Sequence, residues 1–198
     1  MHRGTRTEYR PARVLLAAVV TLLATVVTGP AATAAPDAAP SARAAATLRC
    51  SLRTASPVTF SPAVSGTPRN VTARGTVNLN GCTSPDGRRK SIRSGRLTVR
   101  GSGRATCSRV SGVRGSATVT WYSGAGRTGR VVGRSAVTPA AAGVSGYTPL
   151  DSFLSGRITS GPMAGRHITG RAAPTTNVSS CYGRGLRSVG LRGTVTVS

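Results

Sequence analysis

From residue 47 onward, apolar and polar positions alternate with a period of two. Val71, Ala73, Gly75, Val77 and Leu79 alternate with Thr72, Arg74, Thr76 and Asn78. Leu97, Val99, Gly101, Gly103, Ala105 and Cys107 alternate with Arg96, Thr98, Arg100, Ser102, Arg104 and Thr106. Val113, Gly115, Ala117, Val119 and Trp121 do the same against Arg114, Ser116, Thr118 and Thr120, and Leu191, Gly193, Val195 and Val197 against Arg192, Thr194, Thr196 and Ser198. Successive side chains of a strand point to opposite faces, so this period predicts strands with one face in a core and one in water. Weaker strands are expected near Leu48–Arg53, Val131–Val137, Phe153–Ile158 and Arg166–Gly170. Turn signals separate them: Ser84-Pro85-Asp86-Gly87, Ser123-Gly124-Ala125-Gly126 and Ser160-Gly161-Pro162. No helical period of useful length follows residue 47. The expectation is an all-β fold, a single antiparallel sandwich or barrel domain over 47–198.

The N-terminus follows another rule. Arg3, Arg6, Arg10 and Arg13 precede an apolar run from Val14 to Val27 that only Thr21 and Thr25 interrupt. As a helix this run would span about 21 Å, short of the roughly 30 Å of a bilayer core. Gly29-Pro30 then breaks it, and Ala32-Thr33-Ala34 supplies a small-residue cleavage site. Residues 1–34 are therefore expected to be a signal peptide and the protein to be secreted. No cysteine follows the run closely, and Arg10 and Arg13 are not adjacent, so neither a lipoprotein nor twin-arginine export is indicated. Residues 35–46, rich in Ala and broken by Pro36 and Pro40, offer nothing large to pack and are expected to form a flexible tail.

Cysteine usage agrees with export. Cys50, Cys82, Cys107 and Cys181 all lie beyond the signal, and an even count in an oxidising compartment reads as two disulfides. No C-x-x-C pair is present to suggest a zinc ribbon or a redox site. Of three possible connectivities, the non-crossing arrangement of sequence neighbours, Cys50–Cys82 with Cys107–Cys181, is expected.

Charge changes the picture more than composition does. The chain has 27 Lys and Arg against 4 Asp and Glu. Removing residues 1–34 takes away four Arg and one Glu, which leaves 23 bases, three acids and a net charge of +20. A GC-rich genome accounts for Arg replacing Lys but not for missing acids. Such a surface attracts polyanions. Arg74, Arg96, Arg100, Arg104 and Arg114 fall on the polar side of the alternation. Arg88, Arg89 and Lys90 cluster in the adjoining loop, with Arg93 nearby. Guanidinium forks match phosphate and carboxylate geometry. The partners this face would take are wall polymer, acidic polysaccharide or extracellular nucleic acid. Few aromatics are present to stack bases, and Trp121 lies on the apolar side.

Catalytic groups are scarce. Beyond the signal there is one histidine, His167, no glutamate, and three aspartates, Asp37, Asp86 and Asp151. Asp37 lies in the tail and Asp86 in a turn where Asp serves the backbone. Neither a paired-carboxylate glycosidase site nor a three-ligand zinc site is readily assembled. No G-x-S-x-G elbow accompanies the serines. The sequence thus calls for a non-enzymatic, cell-envelope-associated binding module without cofactor or metal. The alternative is a small secreted hydrolase using His167 and Asp151. A cationic membrane-active protein ranks lower, because no amphipathic helix is available to insert.

Four stretches carry a family resemblance. They are Cys50 followed by Phe60-Ser61-Pro62; Gly75-Thr76-Val77 leading to Cys82; Cys107 followed by Val119-Thr120-Trp121; and Gly156-Arg157-Ile158-Thr159-Ser160-Gly161 leading through Gly165 to Cys181 and the last strand. Across most of Thr47–Ser198 the chain resembles uncharacterised small secreted proteins of actinobacteria. The resemblance implies a shared four-cysteine β framework. It implies no activity, and the arginine content is not part of the pattern.

Overall fold

The computed structural model describes residues 46–140, 144–145 and 152–198. The expected signal peptide, nearly all of the tail, and Asp151 lie outside the described residues. Among the described residues ten strands run in chain order: β1 Leu48–Val64, β2 Arg69–Thr83, β3 Ser94–Ala105, β4 Arg109–Tyr122, β5 Val131–Pro139, β6 Val144–Ser145, β7 Ser152–Ser160, β8 His167–Pro174, β9 Leu186–Val189 and β10 Leu191–Val197. Every pairing among them is antiparallel.

Eight of these strands form a meander, β1-β2-β3-β4-β5-β7-β8-β10, that closes where β10 returns to β1. An even strand number lets an antiparallel meander close without a parallel mismatch, and closure removes the sheet edges. Of the two architectures the alternation allows, the protein is the barrel. The inward set fills it: Leu48, Leu52, Val77, Leu79, Leu97, Val119, Trp121, Val137, Ile158, Ile168, Val195 and Val197 are all buried. An eight-stranded barrel is just wide enough for such a filling. Loop residues Ile92 and Met163 are buried in the same core.

Trp121 is the largest wholly buried side chain. Its indole Nε1 donates to Ser135 Oγ at 2.9 Å, and that hydroxyl donates in turn to the Pro162 carbonyl. Gly95 faces the ring from β3, where a Cβ would lie 2.9 Å from it. The alternation of β3 places a residue there, and only glycine leaves room for the indole.

Outward positions carry Arg, Thr, Ser and Asn. This is the inverse of a membrane-spanning barrel, which shows an apolar band to lipid. Among the described residues no helix is long and apolar enough to cross a membrane.

Most strands exceed the expected bounds: β2 runs on to Thr83, β4 begins at Arg109 and β8 runs on to Pro174, while β1 and β3 depart in ways that shape the rest of the fold. β1 does not stop at Arg53 but continues to Val64. The alternation is lost around Ser56-Pro57 because register shifts fall between Thr54 and Thr59, and a bulge re-phases the faces without ending the strand. β3 ends at Ala105, so Cys107 belongs to the following turn rather than to the strand.

The extra length of β1 builds an annex. Beyond Arg53 it leaves β10, and from Val58 it pairs with β9, while β2, β3 and β4 extend beside it and β6 caps β4. The annex has its own small core of Val64, Val71, Ala105 and Cys181, with Phe60, Cys107, Val110 and Leu186 packed against it. Cys50–Cys82 joins β1 to β2 within the barrel. Cys107–Cys181, 74 residues apart in sequence, ties the annex to the segment that leads into β9. Four fully buried core residues are too few to hold this region without a cross-link. Replacing Cys107 and Cys181 by Ser is expected to cost about 2–4 kcal/mol. It should open the annex first, seen as proteolytic cleavage between residues 175 and 190 while the barrel still melts cooperatively. Uniform melting with no early cleavage would contradict this.

Candidate polyanion-binding face

Direct cross-strand pairing arranges the outer face of β2, β3 and β4 as a grid. Arg74 lies opposite Arg100, and Arg100 opposite Ser116. Two residues along the strands, Thr76, Thr98 and Thr118 form the next row. Two residues further, Asn78, Arg96 and Thr120 form another. On the annex side Thr72, Ser102 and Arg114 form a row, then Asn70, Arg104 and Ser111. Strands lie about 4.8 Å apart, and two residues along a strand span about 6.7 Å. Arg96, Arg100 and Arg104 therefore share one face of β3 at intervals of about 13 Å. All five predicted strand arginines are exposed on this grid.

Arg88, Arg89 and Lys90 are exposed in the β2–β3 connection, beyond the barrel end of the grid. They lie at the end of β3 nearest Arg96, and Arg104 lies at its other end. The connection opens on a turn in which Gly87 N–H donates to the Ser84 carbonyl at 3.0 Å. Asp86 serves that turn: its Oδ1 accepts from Arg88 N–H at 3.0 Å and from Ser84 Oγ at 2.8 Å. The Arg88 backbone N–H is the main reason its carboxyl is held below the usual carboxylate range, with Ser84 and the Arg88 charge adding to it. A lowered value means the ionised form supports the turn. That support is present above the ordinary carboxylate range and is lost as pH falls through the lowered value. An NMR titration should show the Arg88 amide shifting only at strongly acid pH, and Asp86→Asn should abolish that step.

Asp86 is the only acidic side chain among the described residues, and it is engaged in its own turn. Five of the 27 bases precede residue 46, so 22 Arg and Lys share this surface with it. Like charges directly opposite one another across strands are unfavourable. The Arg74–Arg100 pair has that geometry, and its neighbours Ser56, Thr59, Thr76 and Thr98 bring hydroxyls, not carboxylates, to the shallow groove beside it.

The barrel adds arginines that the strand pattern alone did not single out. Arg53 lies opposite Asn78 on one side and Arg192 on the other. Arg134 lies opposite Thr120. One row thus runs Arg192, Arg53, Asn78, Arg96, Thr120, Arg134 across six neighbouring strands. Each lies on the polar side of its local alternation, but their juxtaposition depends on which strands meet.

His167 opens β8, exposed, opposite Arg157. Its backbone exchanges hydrogen bonds with Ser198. A cation is thus its cross-strand neighbour, and its proposed partner Asp151 lies outside the described residues. Among the described residues no three His, Cys, Asp or Glu side chains come together as a metal site. Among the described residues Tyr182 is the large aromatic most open to solvent, and it belongs to the annex rather than to the grid. No family model, curated protein or solved structure matches the chain, so the reading of this face rests on its own residues.

Proposed function

We propose that this chain is an exported, non-enzymatic module of the cell envelope whose outer β2–β3–β4 face binds polyanions. The observation that carries the reading is the grid itself. Five exposed arginines stand among Ser, Thr and Asn on three adjacent strands, two of them directly opposed, with no carboxylate interleaved. A surface selected for solubility alone gains nothing from opposing like charges. A repeating anion would turn that cost into paired contacts. Export is supported by the N-terminal sequence and by two disulfides, which persist in oxidising compartments. The resemblance to small secreted actinobacterial proteins supports export as well and adds no activity. Because no exposed aromatic lies on the grid, the reading favours backbone charge over base recognition.

The test is a salt-gradient retention assay of residues 35–198 on the producer's own cell wall, duplex DNA and an acidic polysaccharide. Retention at about 50 mM salt that falls steeply as salt rises is the expected signature of charge release. The steepest dependence names the partner class. Failure to bind all three at that salt would end the proposal.

A further inference from the structure

We infer that the seam where β10 closes on β1 holds a discrete site for one tetrahedral oxyanion, a phosphate or sulfate group, gripped between Arg53 and Arg192. These two arginines are directly opposed across the closing ladder. Together with Ser51, Leu52, Asn80 and Thr175 they line a groove of about 480 Å³, larger than the one beside Arg74 and Arg100. The polar groups in this lining are donors to an anion: two guanidinium forks, the Asn80 amide and the Thr175 hydroxyl. The Ser51 hydroxyl donates to the Asn80 carbonyl at 2.8 Å and so steadies that wall.

The opposite wall is set by hydrogen bonds around Gly190. Thr175 N–H donates to the Gly190 carbonyl at 2.8 Å, Gly190 N–H to Thr176 Oγ1 at 3.3 Å, and Leu191 N–H to Thr54 Oγ1 at 3.1 Å. Gly190 is buried, and a Cβ there would collide with Thr175 Oγ1. Thr175 is therefore held against the seam. Two forks on one group suit a doubly charged oxyanion, whose several oxygens can accept from both. The groove is far roomier than a free ion requires, which favours an esterified group whose remainder extends along it. The site uses a different ladder from the polyanion face, and its test uses small ligands, so the two proposals fail separately.

The experiment is titration of residues 35–198 by calorimetry and phosphorus NMR, at constant ionic strength held with sodium chloride. The probes are inorganic phosphate and glycerol phosphate, with sulfate as competitor. Saturable binding of one anion per chain is expected, displaced by sulfate. Arg192→Gln and Arg53→Gln should each weaken it at least tenfold. Arg192→Lys, which keeps the charge but not the fork, should weaken it several-fold. Arg134→Gln, at the far end of the same row, should leave it within twofold. Tighter binding of glycerol phosphate assigns the site to esters, and equal binding assigns it to the ion. Absence of saturable binding, or an equal loss in Arg134→Gln, would overturn the inference. Unchanged melting of the oxidised variants separates loss of the site from loss of the fold.

Discussion

Replacing Arg74, Arg96, Arg100 and Arg114 together by Gln is expected to remove most of the salt-dependent polyanion binding proposed for residues 35–198. Each phosphate neutralised on duplex DNA adds about 0.9 to the slope of log affinity against log salt. If all four arginines make such contacts, the slope falls by up to about 3.6. Between 50 and 200 mM salt the parent's affinity should therefore fall by up to about two orders of magnitude more than the variant's. The informative control carries the same change in net charge elsewhere. Arg130, Arg171, Arg184 and Arg187 are exposed and lie off the grid. If changing those four to Gln shifts elution as much as changing the grid does, only total charge matters and the face is not a site. If the grid variant alone loses retention, position matters as well as sign. Guanidinium groups keep their charge across ordinary pH, so retention of the parent should stay flat from about pH 5 to pH 9.

Trp121→Ala should be the most damaging single change to the fold. The indole is wholly buried in the barrel core, and truncating such a side chain costs about 3–5 kcal/mol through lost burial and the cavity left behind. For a domain of this size that corresponds to a fall of roughly 6–20 °C in melting temperature. The change also strips Ser135 Oγ of the indole donor in a site closed to water. Trp121→Phe should fall between parent and Ala, since it restores part of the volume but not the N–H. Calorimetry of the oxidised protein measures both. A shift under about 3 °C for the Ala variant would mean that the core tolerates the cavity and that the disulfides dominate stability. Below its melting point the Ala variant should still bind polyanions, because the arginine grid lies on the other side of the sheet.

These two predictions depend on different kinds of information. The inward placement of Trp121 is local: it stands two residues from Val119 and four from Ala117 on one side of an alternating run, and a strand must put all three on the same face. The same logic places Arg96, Arg100 and Arg104 outside. It works because the strand period is two and one face is buried, so a slip of a single residue would expose the whole apolar set. It falters where a bulge re-phases the chain. At Ser56-Pro57 the alternation reads as an ending, yet β1 runs on to Val64 and builds the annex with β9. The two-residue β6 has too little pattern to be seen in sequence at all.

The alternation, the turn residues and the even cysteine count were enough to establish an all-β domain with an apolar interior and a cationic exterior, because each follows from local geometry and solvation. Barrel rather than sandwich is a matter of which distant strands pair. That choice came from β10 meeting β1, in a register no local pattern encodes. The same closure set Arg53 against Arg192, 139 positions apart in the chain, and so made a groove at the seam. Composition dictates how much charge the surface bears. Long-range strand register dictates which charges face one another, and only that decides where an anion can be held.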